Sequence, residues 1–329
     1  MRRDQLPPHR TATYVMPRWR AVYVSVNKAA CTSMKWLVAG LQGERPEQFH
    51  ISMSREVGRA MTIHKRSLWE HTPMLHRLPR ARLEAISPEA GWFIFAVVRH
   101  PAARVWSAWQ SKLLLREPAW VERFGREPWF PRVPTTTEEI AEDFARFVQF
   151  IDEEPDHPMA RNRHVAPQAR LLVPDRMEYS RIYGTREIPQ LLSDLETHLR
   201  AQGWEGKLVL PNSNETPLRP LASFFTDPVR ERIRRVYAED FERFGYADDL
   251  PDGLDRSDRY SAEALGEVAR LVDRAERIND VILRARTFQK AAAAAEERAR
   301  ELESRTVPRR ARRFAGRARR RIERALPGR

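Results

Sequence analysis

A layered α/β domain on a parallel sheet, followed by a helical extension, is predicted by three features of this 329-residue chain. A β-branched apolar run at residues 21–26, AVYVSV, feeds a short polar loop and then a helical pattern. A second run at 92–98, WFIFAVV, is almost continuously apolar and passes through Arg99-His100-Pro101 into another helical pattern. Beyond Pro251 the strand signals stop and the pattern is wholly helical. Strand, loop and helix in that order, twice, favour α/β layers. An unbroken apolar strand suits a parallel sheet covered on both faces.

The elements follow in chain order. After the first strand, Met34, Leu37, Val38 and Leu41 fall at helical spacing, and the helix ends at Gly40 or Gly43. Residues 50–88 are His-rich and read as helix and loop over the sheet edge. The second strand leads into a helix carrying Val105, Trp106 and Trp109. Residues 116–136, rich in Pro and Trp, read as an irregular surface loop. Thr137-Glu138-Glu139 caps a helix with Ile140, Phe144, Phe147, Val148 and Ile151 on one face. A further strand is expected within 177–183. An amphipathic helix spans 188–201, and another spans 228–241 and ends at Gly245. Residues 261–288 form a helix with Leu265, Val268, Leu271, Val272, Ile278 and Ile282 as its apolar set. Residues 291–303 continue as a solvated helix that Pro308 breaks. The chain therefore divides into an α/β domain (1–250), a helical extension (251–304) and an Arg-rich tail (305–329).

Composition sets limits on function. Hydrophobic residues make up 42% of the chain, with 9 Trp and 14 Phe, enough for a core and against wholesale disorder. No stretch approaches the roughly 20 apolar residues of a membrane span, and residues 1–20 lack the apolar centre of a secretory signal. The single cysteine, Cys31, excludes a disulfide framework and a Cys-based zinc site, and points to a reducing, cytoplasmic setting. The net charge is +13, but residues 305–329 hold eleven Arg against one acid, Glu323, and so carry ten of those charges. The body is only mildly basic, which weakens a nucleic-acid reading of the folded part. The tail fits an anionic surface, such as lipid headgroups, an acidic glycan or nucleic acid, and equally a solubilising extension. The helix at residues 261–288 fits a dimer contact as well as a monomer.

The loop Asn27-Lys28-Ala29-Ala30-Cys31-Thr32-Ser33 has the chemistry of an anion site. A strand feeding a loop and a helix N-terminus brings amides together at the positive end of the helix dipole. Lys28 supplies a charge, and the small Ala29 and Ala30 let a phosphate approach the backbone. Thr32 and Ser33 supply hydroxyls, and Lys35 a second cation. No glycine lies between Val26 and Trp36, so this is not a Walker loop. Cys31, without a neighbouring histidine in sequence, reads as a packing residue rather than a nucleophile. The same residues also fit an ordinary capped turn with a solvated lysine. At the second strand's end, Arg99 leaves the sheet where ligand crevices open, and Ser107 lies eight residues on.

Together VNKAACTSMK (26–35) and VVRHPAARVWSAW (97–109) resemble the 5′-phosphosulfate and 3′-phosphate motifs of sulfotransferases. Two further stretches, RNRHVAPQARLL (161–172) and VYAEDFERFGY (236–246), resemble later segments of the carbohydrate branch, sulfotransferase family 2, typified by the chondroitin and HNK-1 enzymes. The four fall in family order. Asn27 stands where the family has Pro, His100 where it has an acid, and Val165 where it has Trp. The cysteine pairs and membrane anchor of luminal relatives are not in this sequence.

The resemblance implies a three-layer P-loop-NTPase-like sulfotransferase fold and transfer of a sulfuryl group from 3′-phosphoadenosine 5′-phosphosulfate. The acceptor would be a hydroxyl on a glycan, glycolipid or hydroxylated metabolite, and no metal is required. On that pattern Lys28 neutralises the bridging and leaving oxygens. Ala29, Ala30, Cys31, Thr32 and Ser33 hold the 5′-phosphate, and Lys35 adds field. Arg99 and Ser107 hold the 3′-phosphate. A general base is sought among His64, His71 and His76. The distance of His71 from Arg99 best matches the family's histidine, with His64 next, although each also fits a packing role. His164 reads as part of the acceptor wall or a buttress of the loop, and Tyr237 and Asp240 as fasteners of the last helix. The rival readings are a P-loop-type kinase, a fold without turnover, and a non-enzymatic anion- or nucleic-acid-binding protein that uses the basic tail.

Overall fold

The computed structural model describes residues 1–9, 11–50, 59–211, 217–247, 250–251 and 253–323, with the backbone alone described at 50, 59–60 and 303–323. It divides into two compact units, Met1–Asp273 and Arg274–Arg329.

The first unit is built on four strands in the order β1 (Ala12–Met16), β2 (Ala21–Ser25), β3 (Phe93–Val98) and β4 (Arg181–Gly184). β1 runs antiparallel to β2, while β2, β3 and β4 are parallel, with Val22 opposite Ile94 and Ala96 opposite Ile182. Every residue of β2 and five of six in β3 are buried, so the continuous apolar runs are explained by cover on both faces. β1 was not anticipated. It is short, and its edge is closed by residues 73–75: Val15 N–H donates to the Pro73 carbonyl (2.9 Å) and Leu75 N–H to Thr13 Oγ1 (3.1 Å).

Helices α1 (Cys31–Leu41), α2 (Pro46–His50) and α3 (Arg80–Glu84) precede β3. α4 (Pro101–Trp109) follows it and continues into a π-helical turn, Gln110–Leu114. α5 (Pro118–Phe124) occupies the stretch expected to be a surface loop, and Trp120, Phe124 and Trp129 there are buried. Three large aromatics cannot be left in water at low cost, and Trp129 stacks on Phe150 at 4.4 Å.

α6 (Thr137–Glu153) buries Ile140, Phe144, Phe147, Val148 and Ile151. Its cap is Thr136, one residue earlier than predicted, and Glu139 closes a capping box with it. α7 (Gln168–Leu172), α8 (Ile188–Ala201), α9 (Asp227–Val236) and α10 (Ala238–Phe244) complete the set, the single helix expected at 228–241 being broken at Tyr237. One core joins the sheet to α1 and α8. A second, built on Trp106, Trp109, Phe144, Phe147 and Tyr237, joins α4, α6 and α9.

α11 (Ala262–Glu323) is one continuous helix through Pro308, where a break was predicted. Arg and Ala lie on both sides of that proline, and these strong helix formers oppose a penalty of about 3 kcal/mol. No described helix is long and apolar enough to cross a membrane.

Candidate functional site

β2 ends at Ser25, and the chain turns through Asn27 to Ala30 before α1 begins at Cys31. Lys28 (φ 70°) and Ala30 (φ 53°) both take left-handed backbone angles without being glycine. Each such residue costs roughly 1–2 kcal/mol, and strain of this kind collects where a loop must aim its groups at a ligand. Ala30, the N-cap of α1, offers no side-chain bond to the helix amides.

The two sequence motifs meet in space. Arg99 leaves β3 and its Nη1 donates to the Lys28 carbonyl at 3.4 Å. Lys28 Nζ donates to Ser111 Oγ (2.8 Å), which sits in the π-helical turn. Such turns are frequent at functional sites. Neither Ser111 nor its neighbour Lys112 was singled out from sequence, because a π-turn leaves no periodic signature.

Cations dominate this region. Burial foremost, then the charges of Lys112 and Arg99, bring the Lys28 ammonium down to about 8. Burial, then Lys35, Lys112, Arg163 and Lys28, hold His64 well below the ordinary imidazole value. Cys31 and then Glu117, which is ion-paired with Lys112, act on Lys28 in the other direction. So many cations beside so little negative charge is a field that a polyanionic ligand relieves.

His64 is the histidine that joins the cluster. Its Nδ1 lies 2.7 Å from Lys35 Nζ, and its Nε2 lies 3.0 Å from Thr32 Oγ1. An ammonium can only donate, so Nδ1 accepts and Nε2 carries the proton toward the threonine. His71 stands outside the cluster. Its side chain is exposed, and its backbone N–H donates to Glu44 Oε1 (2.9 Å), which also takes the Thr72 hydroxyl (2.8 Å). His76 pairs with the His9 ring, their centroids 4.9 Å apart. Spacing from Arg99 favoured His71, but residues 59–77 fold as successive 3₁₀ turns, so distance along the chain does not measure distance across the site.

Of the other predicted residues, Ala29, Cys31, Thr32, Ser33 and Lys35 are buried and Ala30 is half-buried. Ser107 is buried in the last turn of α4, with no hydrogen bond to Arg99 or to the Lys28 loop among the described residues.

A second layer fixes the loop. Arg104, fully buried, donates from Nε to the Asn27 carbonyl (3.0 Å), from Nη1 to Ala166 (2.9 Å) and Val165 (3.3 Å), and from Nη2 to Arg163 (3.0 Å). Asn27, at the family's proline position, meets His164 Nε2 at 2.9 Å, and Nδ1 of that ring meets Asn162 Oδ1 at 2.8 Å. His164 thus buttresses the loop. His100, at the family's acidic position, caps α4: its Nδ1 accepts from Ala102 N–H (3.3 Å). Gln168 grips the backbone of Arg99 from both sides, its Oε1 accepting from Arg99 N–H (2.9 Å) and its Nε2 donating to the Arg99 carbonyl (2.8 Å). Asp240 in turn accepts from the Gln168 and Ala169 amides (2.9 and 2.8 Å), which fastens α10 to α7. Arg104 and Gln168 were missed as individual residues, although both lie inside motifs the sequence displayed.

A groove of about 700 Å³ opens at the other end of α1, lined by Trp36, Gly40, Leu41 and Trp204, and none of the clustered cations reaches it. Among the described residues no group of three His, Cys, Asp or Glu is placed to hold a metal.

The model of the sulfotransferase family matches residues 11–247. No curated protein and no solved structure matches the chain.

Proposed function

This chain belongs to the sulfotransferase family, and from that premise we propose that it carries a sulfuryl group from 3′-phosphoadenosine 5′-phosphosulfate to a hydroxyl of a carbohydrate or glycoconjugate. The observation that carries the donor assignment is the clustering of Lys28, Lys35, Arg99 and Lys112, with Glu117 the one carboxylate among the groups acting on Lys28. A nucleotide phosphorylated at both ends supplies the missing negative charge. The carbohydrate acceptor rests on the resemblance of the four motifs.

In the proposed reaction the acceptor oxygen attacks sulfur in line with the bond to the 5′-phosphate. That sulfur–oxygen bond breaks, the acceptor proton passes to a base, and 3′-phosphoadenosine 5′-phosphate leaves. Charge grows on the bridging oxygen, so positioned cations count more in the transition state than in the ground state. Lys28 exchanges its bond to Ser111 for that oxygen. The amides of residues 29–32, with Thr32 and Ser33, hold the 5′-phosphate. Arg99 and Ser107 hold the 3′-phosphate, with Arg99 aimed by Gln168.

His64 is the base in this scheme. A bound donor draws the Lys35 ammonium to its phosphate oxygens, frees Nδ1 and offsets the cations that depress the ring's basicity. Replacing His64 by Ala is then expected to lower kcat about 10²-fold or more, whereas His71→Ala leaves kcat within about twofold. Steady-state kinetics on both variants check this, and equal losses would remove His64 from the role.

Calorimetry tests the donor. The protein is expected to bind 3′-phosphoadenosine 5′-phosphate at least about tenfold more tightly than ADP, a difference of about 1.4 kcal/mol. Arg99→Ala should abolish that preference. Equal binding of the two nucleotides by the unaltered protein rejects the donor assignment.

A further inference from the structure

The second compact unit begins at Arg274 and takes up the greater part of α11. Among its described residues Leu283 is 44% exposed, and Val281, Phe288 and Leu302 are 65%, 75% and 62% exposed. The last three lie seven and fourteen residues apart, so they return to one side of a helix followed at 3.5 residues per turn. Counting Val281 as a d position, the d series reads Val281, Phe288, Ala295, Leu302, and the a series reads Ile278, Ala285, Ala292, Ala299. All eight positions are apolar, over a length of roughly 36 Å at about 1.5 Å per residue. Of the f positions, Lys290 and Glu297 are charged, as a solvent face requires, and Leu283 is apolar.

We propose that residues 278–302 form a parallel two-stranded coiled coil with the same segment of a second copy of this chain. Large apolar side chains on a seam about 36 Å long are costly to leave in water, and the strict seven-residue repeat suits a left-handed supercoil. The charges flanking the seam select both partner and direction. The g positions carry Arg277, Arg284, Ala291 and Arg298, while the e positions carry Ile282, Gln289 and Glu296. Antiparallel pairing sets g against g, arginine against arginine. Parallel pairing sets each g against the partner's e, where no cation stands. Ala285 and Ala292 bracket Phe288 and leave room for two phenyl rings in one layer. The pairing is independent of the sulfuryl-transfer site, whose residues all lie before residue 274.

Sedimentation equilibrium on the full chain, from low micromolar to about 100 μM, tests this. The expected mass is that of two chains. Val281→Glu with Phe288→Glu should raise the dissociation constant at least about tenfold without loss of nucleotide binding, which reports that the first unit stays folded. Ala299→Cys, oxidised, should give a reducible dimer linked through that residue, since only parallel pairing brings two a positions together. A single-chain mass throughout the range overturns the proposal. So does a two-chain mass unmoved by the double substitution, or an Ala299→Cys variant that is dimeric but does not cross-link. If the chain is monomeric and instead binds phosphatidylserine vesicles through Val281 and Phe288, the seam is a lipid contact and the proposal also fails.

Discussion

Lys28→Ala is expected to lower kcat about 10²–10³-fold, the usual cost of removing one preorganised group that faces developing charge. The dissociation constant for 3′-phosphoadenosine 5′-phosphate should move less than about tenfold, because in the proposed scheme Arg99 and the loop amides would still hold the phosphates. Single-turnover kinetics beside calorimetry separates the two effects.

The pH dependence gives the same residue a second signature. In the free protein the Lys28 ammonium titrates at about 8, and a bound anion raises that value. Between the two values the complex holds more protons than the free protein, so raising the pH through this window weakens binding. Affinity should be flat below pH 8 with respect to this group and fall above it, by at most about tenfold per pH unit. Lys28→Ala should lose that slope. A variant that keeps both kcat and the slope would take Lys28 out of the mechanism.

How far the sequence revealed this site depends on what kind of information each part carries. β2 and β3 were legible because unbroken apolar runs announce burial on both faces, and the ends of those strands placed Lys28 and Arg99. β1 was not, since five residues among prolines and arginines carry no period that separates them from a loop. The Trp120–Trp129 region was read by its prolines, while its buried aromatics carried the packing. Asn27 and His100 looked like departures from the family pattern. In the fold Asn27 meets His164 and His100 caps α4. Partners 137 residues apart, as Asn27 and His164 are, leave no local trace. Spacing along the chain favoured His71 over His64 for the same reason: Glu44 holds the backbone amides of Glu70 and His71 and the Thr72 hydroxyl, and the His71 side chain is exposed.

Arg104→Lys is expected to destabilise the protein by about 2–4 kcal/mol, although the charge is kept. Arg104 is fully buried and spreads donors from Nε, Nη1 and Nη2 across the carbonyls of Asn27, Ala166, Val165 and Arg163. A lysine ammonium is one point with three donors and cannot span groups on both sides of a planar fork. At least one or two buried carbonyls lose their partner, at about 1–3 kcal/mol each, and a charge already opposed by burial keeps fewer hydrogen bonds. The urea midpoint should therefore fall with the slope m unchanged. One of the orphaned carbonyls belongs to Asn27, directly before Lys28, so the damage should also reach the site. At urea concentrations where the variant is still fully folded, its affinity for 3′-phosphoadenosine 5′-phosphate should be about tenfold weaker than that of the unaltered protein. A substitution equally destabilising but remote, such as Phe147→Leu in the second core, should leave that affinity intact. Equal losses of affinity in the two variants would mean that the strained loop is held by the fold as a whole and not by the fork of Arg104.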